Sequence, residues 1–264
     1  MKKFLSLVLA ATIICGSMLF TSCSKKNDDN KVIDKIVGKW LNVESAGLPL
    51  TSDILSVSTF VKEGSDYKCY YSISEADFDV WFYKKQADVT VDGNTIKVTL
   101  KVEEITTVEE MTDITVNGDD LYYKGKTTLY IDGAEIASYG PCLEHYVKVN
   151  DDFSQIIVGR WEGTVTSDEP GFEPMPFCEK YLADGTNIEY ELIDGQWVEK
   201  ETVYAEYFVD GVLMCTRWQY PGFEEERENC VLVSYVDNTM IVKEKVLRDG
   251  QIYTETSTLT KVSE

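Results

Sequence analysis

The feature that most constrains this 264-residue chain is an internal repeat. The segment 32–40 reads VIDKIVGKW, and it returns at 153–161 as FSQIIVGRW. The two halves also finish alike, because an Asp-Gly dipeptide precedes the last apolar run of each, at Asp132 and at Asp249. Self-similarity of this kind indicates units that fold alike. We predict two tandem domains, 32–150 and 155–264, joined by the acidic Asn150-Asp151-Asp152.

Each repeat is predicted to be rich in β-strands. Thr95–Val102 alternates strictly between polar and apolar residues and places Ile96, Val98, Leu100 and Val102 on one face, the period of a half-buried strand. Asp-Gly and Asn-Gly dipeptides suit the positive φ angles of hairpin turns. They begin at Asp92, Asn117, Asp132, Asp184, Asp194, Asp210 and Asp249. We expect an all-β fold of antiparallel meanders, closed into barrels or folded into sandwiches, with short helical turns only at 32–37 and 154–158.

The first residues predict export. Lys2 and Lys3 precede an apolar stretch, Phe4–Phe20, and small residues follow it. This pattern is typical of a secretory signal peptide, here residues 1–22, which takes no part in the fold. A transmembrane helix is the alternative. The stretch is 17 residues long and contains Thr12, Gly16 and Ser17, so it is a poor permanent span.

The end of the signal peptide resembles the lipobox of bacterial lipoproteins. The matching residues are Leu19-Phe20-Thr21-Ser22-Cys23. The resemblance implies cleavage before Cys23 and lipid on that cysteine, with residues 23–31 as a flexible polar tether. Ser24 after the cysteine, and lysines followed by paired acids, resemble the export tethers of surface lipoproteins in the Bacteroides group. They imply a lipid-anchored protein of the cell outer membrane, exposed at the surface, whose acyl chains are its contact with the membrane.

A helical turn that leads into Gly-x-Trp at the first strand of each repeat resembles the lipocalin-like domains of bacterial surface lipoproteins. The matching residues are Gly38 and Trp40, then Gly159 and Trp161. The resemblance implies that each Trp packs across the closed end of a barrel and that each Gly lets the entering chain pass close. The expected fold is therefore two tandem, antiparallel, lipocalin-like β-barrels.

The charge balance argues against one class of partner. The chain carries 25 Lys and Arg against 46 Asp and Glu, a formal net charge of −21. Strong negative charge keeps a protein soluble and repels nucleic acid and anionic membrane surfaces. We therefore expect no nucleic-acid partner.

The cysteines leave one pairing to consider. Five remain once Cys15 and Cys23 are assigned to the signal peptide and to lipid, so at least one thiol is free within a monomer. Cys215 and Cys230 are symmetric about the turn region 221–224, and a hairpin of simple register would let them face each other and form a disulfide. No Cys-x-x-Cys pair occurs and the chain has one His, so we expect no metal site.

No catalytic motif occurs in the sequence. The single histidine, His145, is interpreted as a structural residue of a strand with one exposed edge. The acidic pairs Glu103-Glu104 and Glu109-Glu110, and the run Glu224–Glu226, are interpreted as hydrated loop residues, not as the facing carboxyls of a glycosidase. The sequence therefore predicts no enzyme and no cofactor.

Aromatic residues are the remaining signal, and most are expected to fill the two cores. Trp218, Tyr220 and Phe223, beside an acidic run, could instead form an exposed contact patch. Two functional hypotheses follow. The first is a non-catalytic binding module for a small apolar or glycan ligand held in a barrel. The second is a structural or interaction subunit of a surface assembly, with filled barrels and no ligand.

Overall fold

The computed structural model describes residues 32–263, and these residues form an all-β protein. One short helix, α1, covers Val32–Lys35. The strands of the first half are β1 Gly38–Ser45, β2 Leu48–Pro49, β3 Ser56–Glu63, β4 Asp66–Glu75, β5 Val80–Asp92, β6 Thr95–Val102, β7 Ile105–Asn117, β8 Asp120–Ile131 and β9 Ala134–Lys148. Those of the second half are β10 Gly159–Ser167, β11 Met175–Tyr181, β12 Asn187–Ile193, β13 Gln196–Glu199, β14 Tyr204–Asp210, β15 Leu213–Gln219, β16 Glu225–Val236, β17 Thr239–Arg248 and β18 Gln251–Val262. A 3-10 turn covers Ser52–Ile54.

The first sheet is a closed, up-and-down barrel. Its strand order is β2-β1-β3-β4-β5-β6-β7-β8-β9, and β1 also pairs with β9. Eight strands therefore form a ring, and β2 is a two-residue addition at the edge of β1. Sequential antiparallel pairing with full closure is the architecture of the up-and-down barrels, lipocalins among them.

The second sheet repeats this order and stays almost open. It runs β13-β12-β11-β10-β18-β17-β16-β15-β14, with β13 a hairpin extension of β12. Across the gap between β12 and β14, a single bridge joins Thr186 and Glu206, and the Tyr207 N–H donates to the Gly185 carbonyl (2.8 Å). We call this gap the seam.

Local sequence explains the turns of both sheets. In all seven Asp-Gly or Asn-Gly dipeptides the glycine has positive φ, and each dipeptide joins two neighbouring strands of one hairpin. The predicted strand Thr95–Val102 is β6, and its Ile96 and Val98 are buried, as the alternation predicted. The fold class predicted from the sequence is thus confirmed.

Both barrels begin in the same way. Trp40 and Trp161 are almost fully buried, and each indole Nε1 donates to a backbone carbonyl four residues earlier, Ile36 O (2.8 Å) or Ile157 O (2.6 Å). The indole thus ties the entering turn to the first strand. Gly38 and Gly159 have φ of 134° and 128°, which L side chains rarely adopt. A Cβ at Gly38 would meet only the Lys148 side chain at 3.9 Å, so backbone conformation, not close passage, requires this glycine.

The chain divides into two compact units that are not continuous in sequence. Among the described residues, unit 1 comprises 32–49, Val57–Ser72 and Lys84–Lys148. Unit 2 comprises Leu50–Ser56, Ile73–Tyr83 and Val149–Glu264. Two short segments from the first half of the chain therefore belong to unit 2. Each unit has its own apolar core, one around Trp40 and the other around Trp161.

The expected disulfide is wrong. In the β15–β16 hairpin Cys215 pairs with Asn229 and Cys230 pairs with Met214, and neither cysteine forms a disulfide. The hairpin is closed by the pair Gln219–Glu225, so the connecting loop has an odd number of residues and the register is shifted by one position. Since side chains alternate along a strand, Cys215 and Cys230 lie on opposite faces of the sheet.

The prediction that the acidic runs lie in loops is wrong for most of them. Glu103 and Glu104 form the turn between β6 and β7, but Glu109 and Glu110 lie inside β7, and Glu225 and Glu226 begin β16. Glu109 is two residues from the buried Met111, so it points into the barrel.

Within residues 32–263, no helix has the length and apolar character needed to cross a bilayer.

Candidate functional site

A surface cleft in unit 2 is the candidate site, and it has a volume of about 520 Å³. Its floor is the seam, with Gly185 and Thr186 on one side and Glu206 to Val209 on the other. One end is lined by Ser154, Gln155 and Val158, from the turn that precedes β10. Trp81 and Tyr83 line it from the segment Ile73–Tyr83. All lining residues belong to unit 2.

The aromatic wall of the cleft consists of Trp81, Tyr83 and Phe208. The rings of Trp81 and Phe208 meet edge-on at 4.7 Å between centroids, and Tyr83 lies tilted against Phe208 at 5.4 Å. Phe208 is buried, whereas Tyr83 is 50% exposed. The Tyr83 ring therefore offers apolar surface to a ligand while Phe208 supports it from behind.

The placement of Phe208 follows from strand alternation. Tyr207 and Val209 belong to the core of the second barrel, so the residue between them points outward. There Phe208 meets the segment Ile73–Tyr83, and it is buried although it lies on the outer face of its barrel. An outer-face phenylalanine with no cover would be an exposed apolar patch.

The polar wall of the cleft carries two carboxylates. The Asp184 carboxylate accepts hydrogen bonds from Thr186 N (3.0 Å) and Thr186 Oγ1 (2.7 Å), and these bonds lower its pKa. Glu206 accepts two hydrogen bonds from Arg217, at 3.0 Å and 2.7 Å. Arg217 also lies over the Trp81 ring, 4.7 Å from its centroid. The wall therefore presents carboxylate acceptors and the backbone of Gly185 next to aromatic surface.

The predicted contact patch does not form one surface. Trp218 shares a face of the sheet with Thr216, whose cross-strand partner is the core-facing Tyr207, so Trp218 points into the second barrel. Tyr220 also lies partly buried, where its hydroxyl bonds Glu189 and Lys200. Phe223 alone is strongly exposed, at 68%. The strand register, not the local sequence, separates the three residues.

His145 lies on the outer face of the first barrel between two carboxylates. Its Nε2 is 2.8 Å from Asp120 Oδ1, and its Nδ1 is 3.3 Å from Glu44 Oε2. The imidazole stacks on the Tyr122 ring, with 4.3 Å between centroids, and is largely buried. These contacts hold three strands, β1, β8 and β9, together at one point.

The interior of the first barrel holds a carboxyl group that sequence reasoning placed elsewhere. Glu109 accepts hydrogen bonds from the hydroxyls of Tyr123 (2.6 Å) and Tyr71 (3.2 Å). Burial raises its pKa, and these two bonds oppose that rise. Burial also raises the pKa of Glu144 to about 8. Side chains such as Tyr67, Met111 and Tyr146 occupy the rest of this interior.

The described residues contain no cluster of three or more His, Cys, Asp or Glu side chains placed to hold a metal ion. Cys23, the residue expected to carry lipid, lies outside the described residues, as do the predicted signal peptide and tether.

Sequence reasoning missed most of the cleft. Trp81 and Tyr83 are aromatic residues two positions apart on β5, and no local sequence pattern pairs them with Phe208 or Asp184. The Asp184-Gly185 dipeptide predicts a turn, and a local turn signal does not indicate a binding site. Only the ring closure of the second sheet brings 183–186 beside 206–209.

The fold defines a class: all-β proteins built from two up-and-down antiparallel barrels in tandem, the first closed and the second joined at a narrow seam. No protein-family model matches the chain, and a search of curated proteins found no match. Among solved structures it is similar to the wild-type fluorescent protein UnaG, with 14% identity and a TM-score of 0.25, over 44% of this chain and 98% of that one. It is also similar to a protein of unknown function from the DUF3598 family of Nostoc punctiforme, with 10% identity and a TM-score of 0.24, over 90% of this chain and 100% of that one. The fold assignment rests on the strand order and not on these likenesses.

Proposed function

We propose that this chain is an exported, lipid-anchored, non-catalytic binding protein whose small-molecule ligand is a glycan held in the seam cleft. The observation that carries the proposal is the cleft itself, about 520 Å³ with Tyr83 half-exposed on one wall and Asp184 on the other. Ligand sites are concave, of roughly 300–1,000 Å³, and combine apolar surface with a few placed polar groups.

The composition of the cleft favours a glycan over an apolar ligand. A sugar ring has one apolar face, which a tyrosine ring can cover, and a rim of hydroxyls that donate to carboxylates and backbone carbonyls. Asp184 and Glu206 are acceptors of this kind. Charged walls would instead penalise a purely apolar ligand, which cannot replace the water that hydrates them. The filled interior of the first barrel suits an accessory role for unit 1.

Binding is tested by titrating a panel of neutral and acidic oligosaccharides into the purified chain and measuring heat and thermal unfolding. We expect at least one neutral glycan to bind, and Tyr83→Ala to weaken that binding about tenfold, equivalent to ~1.4 kcal/mol. Loss of the stacking surface is the reason, since Tyr83 is the exposed ring of the cleft.

The matched control is Phe223→Ala, which removes a more exposed aromatic ring that does not line the cleft. It should leave affinity unchanged. If Phe223→Ala abolishes binding while Tyr83→Ala does not, the ligand site is at the exposed turn. If no glycan binds and one protein partner co-purifies with the chain, the role is that of an interaction subunit.

The anchor has its own test, which does not depend on the ligand. Mass spectrometry of the chain produced in a Gram-negative host should find residue 23 at the amino terminus with the mass of attached acyl groups. Cys23→Ala should release the protein from the membrane fraction. An unmodified Cys23 still joined to residues 1–22 would show that the anchor proposal is wrong.

A further inference from the structure

The interior of the second barrel carries a set of carboxyl groups that the seam cleft does not use. They are Glu179 on β11, Glu189 on β12, Glu228 on β16, Glu244 on β17 and Glu255 on β18, and we call them the acidic chamber.

The strand register places these groups on the inner face. Glu179 pairs with the buried Trp161 across β10–β11, and with Glu189 across β11–β12. Glu244 is two residues beyond the core residue Val242, and it pairs with Glu255. Glu228 is likewise two residues from Cys230, which belongs to the core. Because residues two apart share a face, all five carboxyls point into the barrel beyond its apolar core.

Two cations, the partly buried Lys200 and the exposed Arg248, neutralise only part of this charge. Lys200 Nζ lies 3.0 Å from Glu189 Oε2, and Arg248 lies 2.5 Å from Glu255 Oε1. In the described part of the chain, no Lys or Arg forms a salt bridge with Glu179, Glu228 or Glu244. Like charges directly opposite in a sheet destabilise it, so two such pairs, Glu179–Glu189 and Glu244–Glu255, need an explanation.

The chamber therefore retains protons. Burial raises the pKa of Glu179 to about 8 and that of Glu244 to about 9, and it also raises the pKa of Glu228. The charge of the neighbouring Glu228 adds to the rise in the pKa of Glu244. The groups that set this balance are the five chamber carboxyls together with Lys200, Arg248, Tyr181, Tyr220 and Cys230.

A second observation is independent of the number of carboxyl groups: several buried acceptor atoms in the chamber have no hydrogen-bond donor among the described residues. Asn187, on the inner face beside Glu189, is only 5% exposed, and within the described residues its Oδ1 has no hydrogen-bond partner. Glu189, at 8% exposure, has an unpartnered Oε1, and Glu179 an unpartnered Oε2. Buried polar atoms are almost always hydrogen-bonded. Once Glu179 has lost its proton, these are three neighbouring acceptors without donors, and they suit a ligand group that only donates.

The chamber also has a solvent-exposed member and an aromatic rim. Glu228 is exposed to solvent, so water reaches the chamber beside β16. Trp218, on the same inner face, has a buried Nε1 without a partner among the described residues, and Tyr220 lies beside Glu189. Aromatic faces attract ammonium groups.

We propose that the acidic chamber binds a small organic cation through a primary ammonium group, whose N–H donors meet Glu179, Glu189 and Asn187. An ammonium offers three donors and no acceptor, which matches the unpartnered atoms. A metal ion suits the chamber less well, because no three ligating side chains in the described residues are placed around one point. The site is separate from the seam cleft and does not depend on glycan binding.

Titration calorimetry on the full chain in non-ionic detergent tests the proposal, with 1,4-diaminobutane and spermidine as probes. The neutral 1,4-butanediol, Mg²⁺ and Ca²⁺ serve as comparison ligands. We expect a diamine to bind, with release of protons at pH 7 and an affinity at least tenfold higher at pH 8 than at pH 6. The pH effect follows because the cation must displace protons from chamber carboxyls.

Glu179→Gln should weaken diamine binding at least tenfold, and Glu199→Gln, an exposed carboxylate of β13 in the same unit, should leave it unchanged. Glu244→Gln is the second variant if Glu179→Gln does not fold, as judged by circular dichroism, and it should reduce the proton release. Absence of diamine binding at millimolar concentration, equal binding of the diol, tighter binding of a divalent metal, or insensitivity to both variants would each overturn the proposal. Glycan binding should survive Glu179→Gln, so the two proposals can fail separately.

Discussion

At the scale of single residues, two buried indoles have the same task in the two halves. Trp40 and Trp161 each donate to a carbonyl of the turn that enters the barrel, and each fills the apolar end of its core. A residue that combines a large apolar body with one directed donor is needed there, and among the side chains only tryptophan supplies both in this geometry.

Trp161→Phe should lower the free energy of unfolding by about 2–3 kcal/mol, because it leaves a cavity and an unpaired buried carbonyl at Ile157. Urea unfolding followed by far-ultraviolet circular dichroism measures this. Trp197→Phe, on the exposed hairpin strand β13, is the control and should change stability by no more than about 0.5 kcal/mol. Equal effects would contradict the role given to Trp161.

Buried carboxyls make the stability of this protein depend on pH with an unusual sign. The folded chain keeps protons on Glu144, Glu179 and Glu244 up to about pH 8, 8 and 9, because burial raises their pKa from 4.5. The unfolded chain loses these protons near pH 4.5, so between pH 5 and 9 the folded state binds more protons. Stability is then highest near pH 5 and falls as pH rises toward 9.

Differential scanning calorimetry from pH 5 to pH 9 should show a falling Tm. Glu244→Gln, which mimics the protonated group, should flatten that fall. Glu199→Gln should leave the fall in Tm unchanged, because Glu199 is exposed. A Tm that rises across this range in the parent protein would contradict the assignment.

At the scale of elements, the second barrel depends on one very close strand contact. Gly163 on β10 pairs with Leu259 on β18, and a Cβ at this glycine would lie 2.0 Å from the Thr258 carbonyl oxygen and 2.9 Å from Leu259 Cα. These are backbone atoms, so they cannot move aside as a flexible side chain could. The β10–β18 pairing therefore requires glycine here.

Gly163→Ala should cost more than about 3 kcal/mol or prevent unit 2 from folding, since the two strands would have to separate. Gly195→Ala is the matched control. Its φ of 79° is unfavourable for alanine, but no atom lies within 4 Å of the added Cβ, so a loss of about 1 kcal/mol is expected. Similar losses in the two variants, measured by chemical denaturation, would show that the β10–β18 contact is looser than described.

At the scale of the whole molecule, unit 2 is completed by segments from the first half of the chain. Asn229 Nδ2 donates to the carbonyls of Ser74 (2.8 Å) and Asp53 (3.2 Å), and Ser52 Oγ accepts from Lys245 N (2.7 Å). Arg227 also reaches the carbonyl of Val80, at 2.5 Å. These bonds satisfy polar groups on the outer face of the second sheet.

Asn229→Ala should destabilise the protein by about 1–3 kcal/mol, because it leaves the buried Ser74 carbonyl and the part-buried Asp53 carbonyl without this donor. Hydrogen exchange should speed up in 50–56 and 73–83 before the rest of the chain. Gln196→Ala, an exposed carboxamide of β13, should change neither stability nor exchange. Unchanged exchange in both segments would show that they do not depend on the contact with Asn229.

Much of the fold could be predicted from the sequence, because the patterns that indicate strands and turns lie within short stretches of the chain. The alternation in Thr95–Val102 and the seven turn dipeptides depend only on residues that are close in sequence. The internal repeat indicates that the two halves of the chain fold in the same way. The candidate site was not readable. Phe208, Asp184 and Tyr83 meet only because a sheet closes at its seam and a distant segment covers its outer face.

By itself, then, the sequence determined an all-β chain of two similar units, since strand period and turn chemistry are properties of short stretches, and the repeated Gly-x-Trp supplied the resemblance to lipocalin-like barrels. Tertiary structure alone decided which carboxyls are buried, that Cys215 and Cys230 point apart, and where a ligand can lie. The reason is register. One residue more or less in a hairpin loop sends every following side chain to the other face of the sheet, and no local pattern records that choice.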